Sequence, residues 1–160
     1  MLRRKITFLI SITSTIVANN KMKIADKYYT IVCDDIRHEL GNKLTLAGVY
    51  GEQIIIGTIP CILPKLCLAV FLHGVNPEFK GFDVNVKFPD GETKKLQHIA
   101  VDQQRPKKGK QDANVVIVIS PFRVPCEGKA AFELSSGMQK KPEIIHKFDI
   151  CKMETTPSEK

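Results

Sequence analysis

The chain has 160 residues, of which 43% are hydrophobic and 26% are charged, and these proportions exclude a fibrous or wholly disordered protein. Its length is that of one domain with a self-sufficient core. The formal net charge is +7, but six basic residues and a single acidic one lie in residues 1–27, whereas the rest of the chain has 18 basic and 16 acidic residues. A near-neutral body lacks the electrostatic footprint of phosphate binding, so we do not expect a nucleic-acid partner.

Residues 1–21 read as a leader, with a basic start followed by an apolar stretch from Ile6 to Ala18. Three interpretations stay open: an upstream start that precedes the true first residue Met22, a weak signal peptide that ends near Ala18, and an N-terminal strand. The stretch is shorter than the roughly 20 apolar residues of a membrane-spanning helix, and serine and threonine interrupt it. We therefore expect no membrane span.

The five cysteines are widely spaced and include no Cys-x-x-Cys motif; they are Cys33, Cys61, Cys67, Cys126 and Cys151. A secreted protein more often has paired cysteines, whereas free cysteine behaves as a small buried hydrophobe. The sequence therefore favours free thiols and a cytoplasmic location, with export after a signal peptide as the alternative.

From residue 28 onwards the hydrophobic pattern has a period of two, and glycine, proline, asparagine and aspartate separate the short apolar runs. The pattern predicts strands at residues 28–33, 44–50, 53–56, 66–72, 82–88, 96–101, 113–119, 129–135 and 144–151. Residues 66–72 are apolar on both faces, which predicts a central strand, and Pro89-Asp90-Gly91 predicts a tight turn. Seven to nine short strands indicate an all-β protein, namely an antiparallel two-layer β-sandwich of immunoglobulin-like character that spans residues 22–152, followed by a polar tail at 153–160.

A dense polar cluster follows the first strand and contains Asp34, Asp35, His38 and Glu39. If residues 34–40 form a helical turn, side chains four residues apart share one face. An aspartate and a histidine at that spacing offer two ligands to a divalent metal, although a metal site needs three or four. The alternative is structural, because an aspartate at a strand exit caps the following turn and Arg37 folds back onto a carboxylate. The structural interpretation is favoured because capping needs only one residue.

The segment between the strands at 96–101 and 113–119 has no apolar residue from 102 to 112 and is predicted to be a surface loop. Its basic side chains are candidates for gripping phosphate or an acidic partner; they are Arg105, Lys107, Lys108 and Lys110. A solvated loop is the favoured alternative, because the segment lacks the interleaved aromatic residues of single-strand nucleic-acid binders.

Three further segments share a recognisable pattern: Val32-Cys-Asp-Asp-Ile-Arg37, Leu63-Pro-Lys-Leu-Cys67 and Glu127-Gly-Lys-Ala-Ala-Phe-Glu-Leu134. They resemble the Cys-Asp-Asp-Val/Ile-Arg opening, the Leu-Pro-x-Leu-Cys middle and the Pro-Gly-x-Tyr-type final hairpin of a family of small bacterial domains of uncharacterised function. Here Glu127 replaces the usual proline before glycine, and Ala131 stands where an aromatic residue is more usual. The resemblance covers about Tyr28 to Cys151. It implies a β-sandwich fold and a cytosolic location, and it supplies no activity.

These features predict a non-catalytic binding or accessory module without a cofactor, in which exposed loops or a sheet edge contact a partner protein. No βαβ alternation and no glycine-rich phosphate-binding motif occurs in the sequence, which excludes a nucleotide-binding α/β fold. The alternative is a divalent-metal-dependent enzyme, or a metal-binding site, at the cluster of Asp34, Asp35, His38 and Glu39. The oligomeric state stays open.

Overall fold

The computed structural model describes residues 23–41, 43–101 and 111–154, and the regular secondary structure in these ranges is entirely β-strand. The strands are β1 (Ala25–Glu39), β2 (Lys43–Val49), β3 (Gln53–Ile56), β4 (Cys61–Leu63), β5 (Leu66–Val75), β6 (Gly81–Lys87), β7 (Thr93–Ala100), β8 (Gln111–Ile119), β9 (Phe122–Val124), β10 (Gly128–Ser135) and β11 (Glu143–Lys152). The predicted all-β class is confirmed. The predicted leader and residues 155–160 of the predicted tail lie outside the described residues.

Eleven strands are described where seven to nine were predicted, and the difference lies in β4 and β9. Each of these three-residue strands lies between two prolines, and they pair with each other as a short ribbon through Ile62 and Arg123. Three residues are too few to show a period of two, so the sequence pattern indicates only an extended connection at both places.

The strands form two main sheets and the ribbon. One sheet has four strands in the order β2-β1-β5-β8, and the other has five strands in the order β3-β11-β10-β6-β7. All described neighbours pair antiparallel except β3 and β11, which are parallel. Strands β2, β8, β3 and β7 are therefore the sheet edges within the described residues.

One hydrophobic core lies between the two sheets, in a sandwich-like arrangement. Alternate side chains of both sheets enter it, and fully buried members include Val32, Leu68, Val70, Val84, Phe132 and Leu134. Phe132 stacks on Phe148 with ring centroids 5.2 Å apart. A polar contact also crosses the layers, since Thr30 Oγ1 and His146 Nδ1 are hydrogen-bonded at 2.8 Å. Within the described ranges there is no helix of the length and hydrophobicity that crossing a bilayer requires.

Strand β5 is central, as predicted from its apolar residues on both faces. Residues Leu66 to Val70 are all at most 1% exposed, and β1 and β8 pair with this strand on either side. The predicted turn at Asp90 and Gly91 also forms: Gly91 has a φ of +91°, and its amide donates to the carbonyl of Phe88. Glycine adopts this left-handed conformation without the steric cost of a Cβ.

The predicted helical turn at residues 34–40 is wrong, because β1 continues as a strand to Glu39. Beyond Cys33, β1 has no partner in β5 but keeps its antiparallel ladder with β2 up to the pair Glu39 and Lys43. We call the paired residues 35–39 and 43–47 the β1–β2 arm. Leu40 at the tip of the arm is 94% exposed. The backbone N–H and C=O groups of residues 35–39 therefore pair in the ladder with β2, so they are not available for the hydrogen bonds of a helix.

Candidate functional site

The predicted polar cluster extends along β1 from the base of the β1–β2 arm almost to its tip, and the strand conformation separates its members. Successive side chains of a strand point to opposite faces, so Asp34 and Asp35 do not share a face. Asp34 and His38 do share one, but four residues of a strand span roughly 13 Å. Across the described residues, no group of three or more His, Cys, Asp or Glu side chains is arranged to hold a metal ion.

Asp34 contacts Gly48 on β2 and Tyr50, which follows β2. The Tyr50 hydroxyl donates to Asp34 Oδ1 at 2.5 Å. The other carboxylate oxygen occupies the space beside Gly48, where an added Cβ would lie only 2.1 Å from Asp34 Oδ2. Gly48 has a φ of +64°, so the backbone conformation as well as the close approach requires glycine. Burial, and after it the bond to Asp34, raises the pKa of Tyr50 to about 12.

Asp35 forms ion pairs with two basic residues. Lys65 Nζ donates at 2.5 Å and Arg37 Nε at 3.0 Å, so Arg37 does fold back onto a carboxylate. The hydrogen bond from Lys65, and after it the one from Arg37, holds the pKa of Asp35 below its ordinary value. Glu39 accepts a hydrogen bond from the Thr45 hydroxyl at 2.9 Å. Asp34 accepts a hydrogen bond from a tyrosine hydroxyl and does not form the expected turn cap.

The predicted basic side chains of Arg105, Lys107, Lys108 and Lys110 lie outside the described residues. Their role as a phosphate or acidic-partner site stays a prediction.

All five cysteines are free thiols. Cys33 and Cys67 are directly opposite each other on β1 and β5, and both are fully buried. Cys33 lies on the opposite face of β1 from the core residue Val32. Burial is the largest cause that raises the pKa of both thiols. A buried thiol of raised pKa is a poor nucleophile.

A cleft of about 1100 Å³ opens where the edges of the two main sheets meet, on the side of β7 and β8. Its floor is apolar and includes Val86, Phe88, Ile117, Ile119, Phe122 and Val124. The rings of Phe88 and Phe122 lie 5.8 Å apart at the centre of this floor. This volume is slightly above the usual range for binding pockets, roughly 300–1,000 Å³. We call this space the edge cleft.

Within the described residues, the strand at one wall of the edge cleft has one uncovered edge. Among the described strands, β8 pairs only with β5, so its other side presents N–H and C=O groups that have no ladder partner. From Ala113 to Ile119 this strand contains no charged residue and no proline. Natural proteins usually protect such edges with lysine, proline or a bulge. Strand β7, at the other wall, has these protections, namely Lys94, Lys95 and a bulge opposite Val84 and Asn85.

The rim of the edge cleft is basic. Lys94 is opposite the core residue Val86, so its side chain lies on the cleft side of β7. Arg123 on β9 also lines the cleft and is exposed. Neither of them forms an ion pair with another described residue, whereas Lys95 is paired with Asp83 at 2.8 Å. Lys94 and Arg123 are therefore available to an anionic group.

Exposed apolar side chains lie on the outer face of the four-stranded sheet, but the centre of this face is buried, since Cys33 and Cys67 are 0% exposed. One row of this face crosses all four strands and consists of Val49, Cys33, Cys67 and Val118. Val118 is 55% exposed and also borders the edge cleft, and Tyr29 on β1 is 60% exposed.

A family model described as "Family of unknown function (DUF6941)" matches residues 28–144, which is most of the chain. The chain belongs to this family. The match begins in β1 and ends in β11, so it includes all walls of the edge cleft. No curated protein matches the chain. Membership in the DUF6941 family therefore assigns no activity, and the function has to be argued from the geometry.

Sequence reasoning missed the residues that make the edge cleft, above all Lys94, Val118 and Arg123. The apolar strand at 113–119 was predicted, but its position at a sheet edge depends on the strand order, which the period of two does not encode. The sequence contains one relevant feature: residues 113–119 lack the alternating polar side chains of a half-exposed strand. In the structure one face of β8 is nevertheless partly exposed, so this face presents apolar side chains.

Proposed function

We propose that this protein is a non-catalytic protein-binding module, and that the edge cleft is where it holds its partner. The observation that carries the proposal is the β8 edge, which no described strand covers and which has no charged residue or proline from Ala113 to Ile119. This edge borders a cleft with an apolar floor. An exposed edge of this length and composition is a site of unwanted pairing, and natural proteins cover such edges. A partner protein that occupies the cleft would cover it.

The chemistry of the walls supports a protein partner. An edge strand offers a row of backbone donors and acceptors, which a polypeptide satisfies and a small apolar molecule does not. The floor offers apolar contact area, which is the main source of affinity at protein interfaces. The basic rim of Lys94 and Arg123 is small, and it lacks the extended basic stripe that a nucleic-acid partner requires.

A non-catalytic role is supported by the engagement of the polar residues that were candidates for chemistry. Asp34 and Asp35 bind Tyr50 and Lys65 at the base of the arm. Cys33 is a buried thiol that donates to the backbone carbonyl of Asp35 at 3.4 Å. We also propose a cytoplasmic location, supported by the five free cysteines, since reducing compartments keep thiols unpaired.

The test is site-specific photo-crosslinking in the organism that makes the protein. A photoreactive amino acid replaces Val118, beside the edge cleft, or Ile55 as the control. Ile55 is a matched position because it is 56% exposed and lies on β3, an edge strand of the other sheet. We expect a covalent adduct from Val118 that mass spectrometry traces to one partner, and the same adduct from the two purified proteins.

Equal adducts from Val118 and Ile55 would contradict the proposal, because they would indicate non-specific contact of exposed apolar residues. An adduct from Ile55 alone would place the interface on the other sheet. Absence of any adduct from Val118, with the labelled protein folded and expressed at its natural level, would also refute the edge cleft as the contact.

A further inference from the structure

The edge cleft also indicates the conformation and charge of the segment that it binds. We propose that the partner presents an extended segment that adds to β8 as a fifth strand of the four-stranded sheet, with alternate apolar side chains in the edge cleft and carboxylates beside Lys94 and Arg123. This inference rests on the proposed function, because it describes the partner of the same cleft.

The backbone of β8 sets the conformation. Its unpaired side is continuous along the strand, and the part from Ile117 to Ile119 lines the cleft. On the opposite wall, Lys94 to Gln97 of β7 lines it. Four residues of a strand span roughly 13 Å, so the cleft has the length of four or five extended residues. A helix has its backbone groups satisfied internally and would leave the β8 edge unpaired.

The side-chain pattern follows from the alternation of β8. Ile117 and Ile119 point to the cleft, whereas Val116 and Val118 point to the outer face of the sheet. An added strand has the same two faces as β8. Its residues beside Ile117 and Ile119 enter the apolar cleft, which predicts apolar side chains at every second position. The residues between them lie on the outer face next to Val118.

The charges select the partner. Lys94 and Arg123 line the cleft and form no ion pair with a described residue, and Glu92 is the one acidic residue among the described lining. A partner segment with carboxylates therefore fits better than a basic one. A second copy of this chain fits less well, because its β8 has no carboxylate between Ala113 and Ile119 and would leave Lys94 and Arg123 unpaired.

The first test uses a random library of 12-residue peptides displayed on phage and selected on the full-length protein. Selected peptides are synthesised with a fluorescent label, and their Kd is measured by fluorescence anisotropy. We expect alternating apolar residues with flanking Asp or Glu. The double variant K94E/R123E should weaken binding at least tenfold, and replacing the peptide carboxylates by amides should do the same.

The matched control is the double variant K129E/K147E, which reverses two exposed lysines of β10 and β11. It makes the same change in net charge away from the edge cleft, so binding should change less than twofold. Thermal melting of each variant checks that it is folded. Equal loss of binding in both double variants would show that only the net charge matters, and it would overturn the assignment of Lys94 and Arg123.

The second test identifies strand addition. In an extended peptide, alternate N–H groups point to opposite sides, and only one side pairs with β8. Two peptides are therefore made with N-methyl groups on either of the two alternate sets of residues. We expect one set to weaken binding at least tenfold and the other to leave it nearly unchanged. Equal effects of both sets, or selected peptides that bind as helices, would overturn the inference.

Two other results would overturn it as well: a dimer of this chain that the K94E/R123E variant leaves intact and that excludes the peptide, or a fatty acid retained in the cleft by native mass spectrometry. The outcome at Val118 separates this inference from the proposed function. A partner cross-linked at Val118 that binds through a folded surface overturns the extended segment alone. Lack of any partner at Val118 overturns both.

Discussion

Replacing Gly48 by alanine tests whether Asp34 has a structural role. An alanine in the left-handed region costs roughly 1–2 kcal/mol, and Gly48 has a φ of +64°. The new Cβ would also lie 2.1 Å from Asp34 Oδ2, so the carboxylate has to move and leave the Tyr50 hydroxyl. The loss of that hydrogen bond adds roughly 0.5–1.5 kcal/mol. We therefore expect Gly48→Ala to lower the free energy of unfolding by roughly 1.5–3.5 kcal/mol in total.

The assay is urea unfolding of a double-mutant cycle between Gly48→Ala and Asp34→Ala. In the Asp34→Ala protein the clash and the hydrogen bond are already absent, so Gly48→Ala should then cost only the backbone part, roughly 1–2 kcal/mol. Gly57→Ala is the control, because Gly57 has no positive φ and an added Cβ there meets no atom within 4 Å. Its effect should stay within about 0.5 kcal/mol.

Two results would refute this account of Asp34. The first is a cost of Gly48→Ala below about 0.5 kcal/mol, which would show that neither the positive φ nor the close carboxylate constrains the residue. The full cost in the Asp34→Ala background would show that the carboxylate and Gly48 are not coupled. Unchanged stability of Asp34→Ala together with loss of a bound divalent metal would restore the metal-site interpretation.

The remaining predictions concern the edge cleft and the pH dependence of stability. K94E/R123E should melt within about 3 °C of the unmodified protein, because exposed side chains away from the core change stability little; a larger drop in differential scanning calorimetry would show that these side chains hold the fold. The pKa of Tyr50 is raised to about 12, so the folded state holds the phenolic proton more tightly than the unfolded state. The resulting stability is fully present below pH 10 and is lost as the pH rises from 10 to 12. Tyr50→Phe should therefore reduce the fall of the melting temperature with pH in that window, and an unchanged slope would contradict the assignment to Tyr50. Burial lowers the pKa of His146 below 6.5, so its contribution is present above pH 6.5 and is lost as the pH falls below that value. His146→Gln should reduce the loss of melting temperature under acid conditions, whereas the exposed His38→Gln should not; equal effects would exclude His146 as the cause.

The strand pattern could be predicted from the sequence because local physics determines it. Alternating apolar residues identify a half-buried strand, and the run from Leu66 to Leu72 identifies a strand buried on both faces. The turn at Asp90 and Gly91 follows from the freedom of glycine at positive φ. The residues from Asp34 to Glu39 were harder, because the same polar run suits a helical turn or an exposed arm, and only the partner strand β2 decides between them.

The position of β8 could not be predicted from the sequence, because sheet order depends on contacts between distant residues. Val118 lies on the outer face of β8, which is an edge strand among those described, and is 55% exposed. The apolar run alone does not indicate which face of this strand is exposed. Lys94 and Arg123 are 29 positions apart in the sequence and in unremarkable surroundings. They line one cleft only because the edges of the two sheets meet there.

The β4–β9 ribbon is an element that the sequence pattern did not predict, and it also contributes residues to the edge cleft. Its strands were too short to predict, yet β9 contributes Phe122 and Val124 to the floor of the edge cleft and Arg123 to its rim. Phe122 and Val124 are at most 2% exposed, so they also belong to the core and hold the ribbon in place. Arg123 lies between them on the opposite face of the strand. The alternation that anchors the ribbon in the core therefore also directs its arginine to the solvent at the rim of the edge cleft.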